Sequence, residues 1–155
     1  MAHEVVERVR DTDALVVLGL QTGGVPFAEV LADALEEISA HRVVRGSLDV
    51  SFYRDDVAQR PFVASSASHV PVDLSERLVL LVDDVLFTGR TIRSALNALG
   101  DFGRPRAVQL AVMVDRGHRE LPIRPDYVGK NLPTSLSEEI VATLEGVWIG
   151  TRGEG

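Results

Sequence analysis

Residues 79–91, VLLVDDVLFTGRT, restrict the folds open to this chain more than any other stretch. Residues 78–82 form an apolar run with two β-branched valines, the composition of a strand buried on both faces. Asp83 and Asp84 follow where such a strand is expected to reach the open edge of a sheet. Thr88, Gly89, Arg90 and Thr91 then turn the chain into residues 92–99, where Ile92, Ala95, Leu96 and Leu99 recur at helical spacing. A glycine-bearing turn at a helix N-terminus suits a phosphate, because the first N–H groups lack intrahelical acceptors and the helix dipole favours an anion. Thr88 and Thr91 add hydroxyl donors to the same loop. Two adjacent carboxylates repel and need a reason to be kept. Ribose hydroxyls or a divalent cation supply one; a solvated strand end followed by an ordinary helix cap is the plainer alternative.

The pattern occurs twice. Residues 14–20 read as a buried strand, Gln21, Thr22, Gly23 and Gly24 as a loop, and residues 25–38 as a helix with Pro26 in its first turn. The glycine spacing is neither a dinucleotide fingerprint nor a Walker loop. Residues 1–10 read as a helix with Val5, Val6 and Val9 on one side, residues 42–53 as a long strand, and residues 107–114 as a buried strand ending at Asp115. Residues 57–73 lack periodicity and read as a loop or loose hairpin, residues 116–124 as a loop broken by Pro122, and residues 139–149 as terminal strands around Gly146. Alternating strands and helices predict an α/β fold with a mostly parallel sheet flanked by helices. In such a sheet the loops after residues 20, 82 and 115 meet at one edge, where ligands bind. Residues 1–150 are expected to form a single domain, with 151–155 as a tail.

Bulk properties narrow the function. The net charge of −7 opposes general nucleic-acid binding, although a local basic patch remains compatible with it. Lys130 is the only lysine, and arginine, which supplies the other cationic side chains, suits bidentate phosphate contacts. The absence of cysteine excludes disulfides and thiolate metal sites. No apolar run reaches the roughly 18 residues of a membrane span, and a cytoplasmic location without membrane partners is the expectation.

Residues 79–91 resemble the phosphoribosyl-pyrophosphate (PRPP) signature of type I phosphoribosyltransferases. Together with DRGHRELPIR at residues 115–124 and YVGKNLPTS at residues 127–135, they resemble the PyrR family, bacterial pyrimidine-operon attenuators with uracil phosphoribosyltransferase activity. The resemblance implies a type I phosphoribosyltransferase fold with a small hood and a mobile loop. It implies transfer of 5-phosphoribosyl from PRPP to uracil, giving UMP and pyrophosphate, with Mg²⁺ as cofactor.

By resemblance, Asp83 and Asp84 hold the ribose hydroxyls, directly or through Mg²⁺. Val85, Leu86, Phe87, Thr88, Gly89, Arg90 and Thr91 form the PRPP loop that takes the 5-phosphate, and Thr22, Gly23 and Gly24 take pyrophosphate. Tyr53, Arg54, Asp55 and Asp56 begin the mobile loop, and the hood at residues 127–135 places the base under Tyr127 and Val128, near Asp115. His3, Arg8, His118, Arg119 and Arg124 match RNA-contacting positions that bind a pyr leader mRNA stem-loop when UMP is present, on a homodimer or higher homo-oligomer.

The chain departs from the family at Gly23, where an arginine is expected, which implies reduced catalysis. The family's N-terminal helix also enters from further upstream, so residues 1–10 are expected to be an incomplete helix. Three alternatives stand beside this reading. One is a catalytically weak nucleotide sensor that binds RNA, and another is a purine-type phosphoribosyltransferase. The third is a signalling receiver domain, disfavoured because receivers carry their acidic pair near the start and lack a Thr-Gly-Arg-Thr loop.

Overall fold

A computed structural model describes residues 1–53 and 67–152. Helix α1 (Ala2–Arg8) leads through a 3-10 turn to strand β1 (Leu15–Leu20), all six of whose residues are buried. Helix α2 (Gly24–Ser39) and strand β2 (Val44–Leu48) follow, then β3 (Leu78–Leu86), α3 (Arg90–Leu99), β4 (Ala107–Asp115) and β5 (Tyr127–Asn131). These five strands form one sheet in the order β2-β1-β3-β4-β5, every pairing parallel. A separate antiparallel hairpin, β6 (Glu138–Thr143) and β7 (Gly146–Thr151), closes the chain.

The period-two alternation of the strands divides the core. Val16, Leu18, Val79 and Leu81 face the side covered by Ile92, Ala95 and Leu99 of α3. Leu15, Val17, Leu80 and Val82 face the side covered by Val5 of α1 and by Ala28, Leu31 and Leu35 of α2. Burial on both faces explains the near-continuous apolar runs that made β1 and β3 legible. The expected α/β architecture is present.

Four features differ from the expectation. The strand expected over residues 42–53 stops at Leu48, because its partner β1 ends at Leu20 and Gln21 N–H closes on Leu48 C=O at 3.0 Å. Beyond it Asp49 Oδ1 accepts the Ser51 N–H at 3.0 Å and starts a 3-10 turn over Ser51–Tyr53. Strand β3 instead runs on to Leu86, since β4 accompanies it as far as Asp115. Both aspartates therefore lie inside the strand rather than after it.

On α3, Leu96 points outward, 45% exposed, while Ser94 and Ala98 are buried. The Ser94 hydroxyl is satisfied by donating to Arg90 C=O at 3.0 Å. The fourth difference is the hood. Residues 127–131 are the fifth strand of the main sheet, and the element covering its carboxyl edge is the β6–β7 hairpin. Ile140 and Ala142 of β6 pack there with Val114, Val85, Phe27 and Met113.

Candidate active site

The site grows from the unequal lengths of neighbouring strands. Gly19 of β1 pairs with Val82, so Asp83 to Leu86 project past β1 with only β4 beside them. Alternation along a strand sends the two aspartates to opposite faces, which resolves their repulsion without any ligand. Asp83, 8% exposed, lines a cavity of about 320 Å³ on the α3 side. Asp84 faces the loop before α2, with its carboxylate against Gly23. Each is braced locally: Asp83 Oδ1 accepts the Asp84 N–H at 3.0 Å, and Asp84 Oδ1 accepts the Val85 N–H at 2.8 Å.

Besides Asp83 and Val85, the cavity is lined by residues 86–92, Glu120 and Arg152. The loop at its floor is held from behind. Phe87 C=O accepts from Arg119 Nη1 at 2.8 Å, and Thr88 C=O accepts the N–H groups of Glu120 and Leu121 at 2.9 and 3.3 Å. Because a trans peptide places N–H opposite C=O, the Thr88 and Gly89 N–H groups point the other way, towards the cavity. Gly89 caps α3 at φ 92°, a left-handed conformation that glycine adopts without steric cost. Arg90 at the rim is paired with Glu120 at 2.6 Å. The result is an anion cradle of backbone donors, threonine hydroxyls and a helix N-terminus, beside a buried carboxylate suited to sugar hydroxyls.

The loop of residues 116–123 that ties down this cradle is itself clamped. Arg119 Nη2 meets Asp115 Oδ2 at 2.6 Å and its Nε donates to Ile123 C=O at 2.9 Å. Burial opposes charge on Asp115, but the Arg119 hydrogen bond, the Gly117 N–H and the Arg119 charge outweigh it and hold the carboxyl below its ordinary value. Arg116 is 7% exposed, with its guanidinium 4.0 Å above the Phe87 ring. It donates to Thr134 Oγ1, Ser135 C=O and Glu138 C=O at 3.0, 2.9 and 2.8 Å. His118 packs edge-on against Phe87, and its Nε2 lies 2.5 Å from Thr134 C=O. The cradle and the base of the β6–β7 hairpin are thus joined through Phe87.

The expected site residues fall in different places. Asp83 and residues 85–91 share one cavity, while Thr22, Gly23 and Gly24 share the α2 loop with Asp84. Asp115, His118 and Arg119 stand behind the cradle as its support, with the Arg119 guanidinium engaged by Asp115, Phe87 and Ile123. Tyr127, 1% exposed, is core on the α1–α2 side, with its hydroxyl donating to Gln109 Oε1 at 2.9 Å, and Val128 packs on the opposite face. Arg8 lies 5.2 Å over the Tyr127 ring and donates to Asp126 C=O at 3.3 Å, which ties α1 to β5. His3 and Arg124 are exposed. Tyr53 packs on the α3-side core, and Arg54, Asp55 and Asp56 lie outside the described residues.

Arg116, Glu120 and Arg152 were not singled out for the site. No periodicity marks them, because each acts through a contact distant in sequence.

The sequence pattern of the phosphoribosyl transferase domain matches residues 2–144. The chain is 59% identical over 145 residues to the bifunctional protein PyrR of Streptomyces coelicolor, covering 93% of this chain and 75% of that one. The chain belongs to the PyrR family of phosphoribosyltransferases. A PyrR protein of Deinococcus radiodurans is 53% identical over 148 residues, covering 94% of this chain and 80% of its own length. A solved hypoxanthine phosphoribosyltransferase of Staphylococcus aureus shares the fold, with a TM-score of 0.65 at 18% identity over 87% of this chain and 70% of that one. The matched domain spans the PyrR cradle described above. Among the described residues no helix is long and apolar enough to cross a membrane.

Proposed function

We propose that this protein transfers the 5-phosphoribosyl group of PRPP to N1 of uracil, giving UMP and pyrophosphate, and that with UMP bound it attenuates pyrimidine-operon transcription by binding a leader stem-loop. The observation that carries the enzymatic part is the cradle of residues 87–91 opening beside Asp83. It suits a 5-phosphate at one end and ribose hydroxyls at the other. In the reaction the bond from the anomeric carbon to pyrophosphate breaks, the bond to uracil N1 forms, and N1 loses its proton. The chain's contribution is to fix the ribose through Asp83 and the 5-phosphate through the loop, so that both reactants meet in line. Thr22, Gly23 and Gly24, at the N-terminus of α2, receive the pyrophosphate. The hairpin over the carboxyl edge covers the base and keeps water out.

Among the described residues there is no cluster of three or more metal-ligating side chains. A carboxylate plus substrate oxygens fits Mg²⁺, which binds through few protein ligands and the phosphates of its substrate. Asp83 from the cavity side or Asp84 from the α2 loop would hold it, since the two lie on opposite faces of β3, and when bound it neutralises charge on the leaving pyrophosphate.

Pyrophosphate release from PRPP, with uracil, hypoxanthine, guanine or no base, tests this reading. Uracil-dependent release is expected; release with purines alone would overturn it. The RNA part predicts that UMP strengthens binding of the stem-loop and that charge reversal at exposed Arg8 or Arg124 weakens it by about tenfold, since each contact of this kind is a phosphate-type one. Asp84 lying on the α2 loop favours the second reading, a weakly catalytic sensor. Unchanged RNA binding without measurable turnover would select it.

A further inference from the structure

Gly23 has φ −70° and ψ −30°, a conformation open to any L-residue. Its backbone does not require glycine. What fills the space is Asp84: its carboxyl carbon lies 2.5 Å from where a Cβ would stand, and its Oδ2 lies closer still. The Asp84 carboxylate therefore occupies the surface of the α2 loop that a side chain at position 23 would otherwise cover. The first turn of α2 carries no acidic residue of its own, so this is a negative charge brought from β3 to the loop beside a helix N-terminus.

We propose that Gly23 makes pyrophosphate capture in this loop depend on a divalent cation, because it admits the Asp84 carboxylate to the surface that the pyrophosphate must use. This rests on the phosphoribosyltransferase reading and adds to it the residue pair that sets its metal dependence. Two anions on one small loop repel, and a hard divalent ion held beside the Asp84 carboxylate would offset the repulsion. A basic side chain at position 23 would push the carboxylate aside, pair with it and present a fixed positive charge instead.

The test is calorimetric titration with inorganic pyrophosphate, in MgCl₂ and in chelator, of the full chain and of the Gly23→Arg and Asp84→Asn variants. The wild-type affinity should fall at least about tenfold in chelator, and both variants should bind metal-free pyrophosphate at least about tenfold more tightly than wild type, the scale of one unit charge at near contact. Asp84→Asn is nearly isosteric, so it decides the matter if the arginine disturbs the loop. UMP titrated into Gly23→Arg should bind as it does to wild type, because its phosphate goes to the other cradle. Equal wild-type affinity with and without magnesium, or variants no better than wild type in chelator, overturns the proposal while PRPP turnover leaves the enzyme reading standing. No pyrophosphate binding under any condition, with neither UMP binding nor turnover, overturns both.

Discussion

The loops before α2 and before α3 present the same local pattern, strand, glycine turn, helix, yet they are built on different principles. The α3 loop is fixed by others: Arg119, Glu120 and Leu121 hold its carbonyls from behind, and its donors face a cavity. The α2 loop is fixed by close approach. A Cβ on Gly24 would overlap the carbonyl oxygen of Val82 and stand 3.0 Å from Asp83 Cα, so the N-terminus of α2 rests directly on the backbone of β3. Its neighbour Gly23 meets only a side chain. One cradle is preorganised by backbone; in the other, a side-chain carboxylate decides what the loop can hold.

The sharpest way to break this comparison is to add one methyl group at each adjacent glycine. Gly24→Ala must push the backbone of α2 away from β3 at Asp83, and an overpacked contact of this kind costs about 1–3 kcal/mol, with PRPP turnover falling alongside. Gly23→Ala needs only a rotation of Asp84 and should leave stability within about 0.5 kcal/mol. Thermal denaturation of the two variants checks this. Similar losses for both would mean that the two glycines serve one backbone requirement.

Removing the support of the α3 loop costs at least as much. Arg116→Ala leaves the acceptors at Thr134, Ser135 and Glu138 without their donor and bares the Phe87 ring, a loss of about 2–4 kcal/mol. Lysine recovers the charge but not the planar three-way fork, so it should rescue stability in part and KM for the base poorly. Urea denaturation and KM for uracil in the two variants are the measurements. Full rescue of both by lysine would reduce Arg116 to a simple buried cation.

Acid tests the same support more gently. The folded carboxyl of Asp115 titrates below its ordinary value, so the unfolded chain takes up protons first as pH falls. The stability from the Asp115–Arg119 pair is therefore complete above the ordinary carboxylate range, about pH 4, and is lost as pH drops through the lower folded value. Arg119→Met should remove part of this acid dependence and loosen the Phe87 carbonyl. An unchanged acid limb in the melting profile would mean that the pair contributes nothing.

Much of this arrangement was legible because burial leaves a local trace. Strands covered on both faces read as apolar runs, so β1, β3 and β4 and the edge at which their loops meet followed from composition. What stayed hidden depends on partners distant in the chain. Strand β3 outruns Val82 only because β4 accompanies it, and that extension sets Asp83 and Asp84 on opposite faces. The side chain of Arg119 in DRGHR reads as a surface cation until Asp115 and the Phe87 carbonyl are found on it. Leu96 fits the helical period as well as Ala98 does, and only the packed structure shows that Ala98 is buried and Leu96 exposed. The burial of Tyr127 in the sheet was hidden in the same way, since an aromatic residue after a loop looks alike whether it covers a ligand or enters a sheet.

That last placement allows the smallest and cleanest test. Tyr127 lies on the side of the sheet covered by α1 and α2, with its ring beneath Arg8 and its hydroxyl on Gln109. Burial pushes its phenol above the usual value, so it stays a neutral donor at physiological pH. Tyr127→Phe keeps the ring and the packing, removes one hydrogen bond and leaves Gln109 Oε1 to find water, at a cost of about 1 kcal/mol. For a chain of this size that is a fall in Tm of about 2–4 °C. KM for uracil and for PRPP should not move, because neither cradle touches this side chain. A many-fold rise in KM for uracil with an unchanged Tm would return Tyr127 to the base pocket and require the β5 edge to open onto the site.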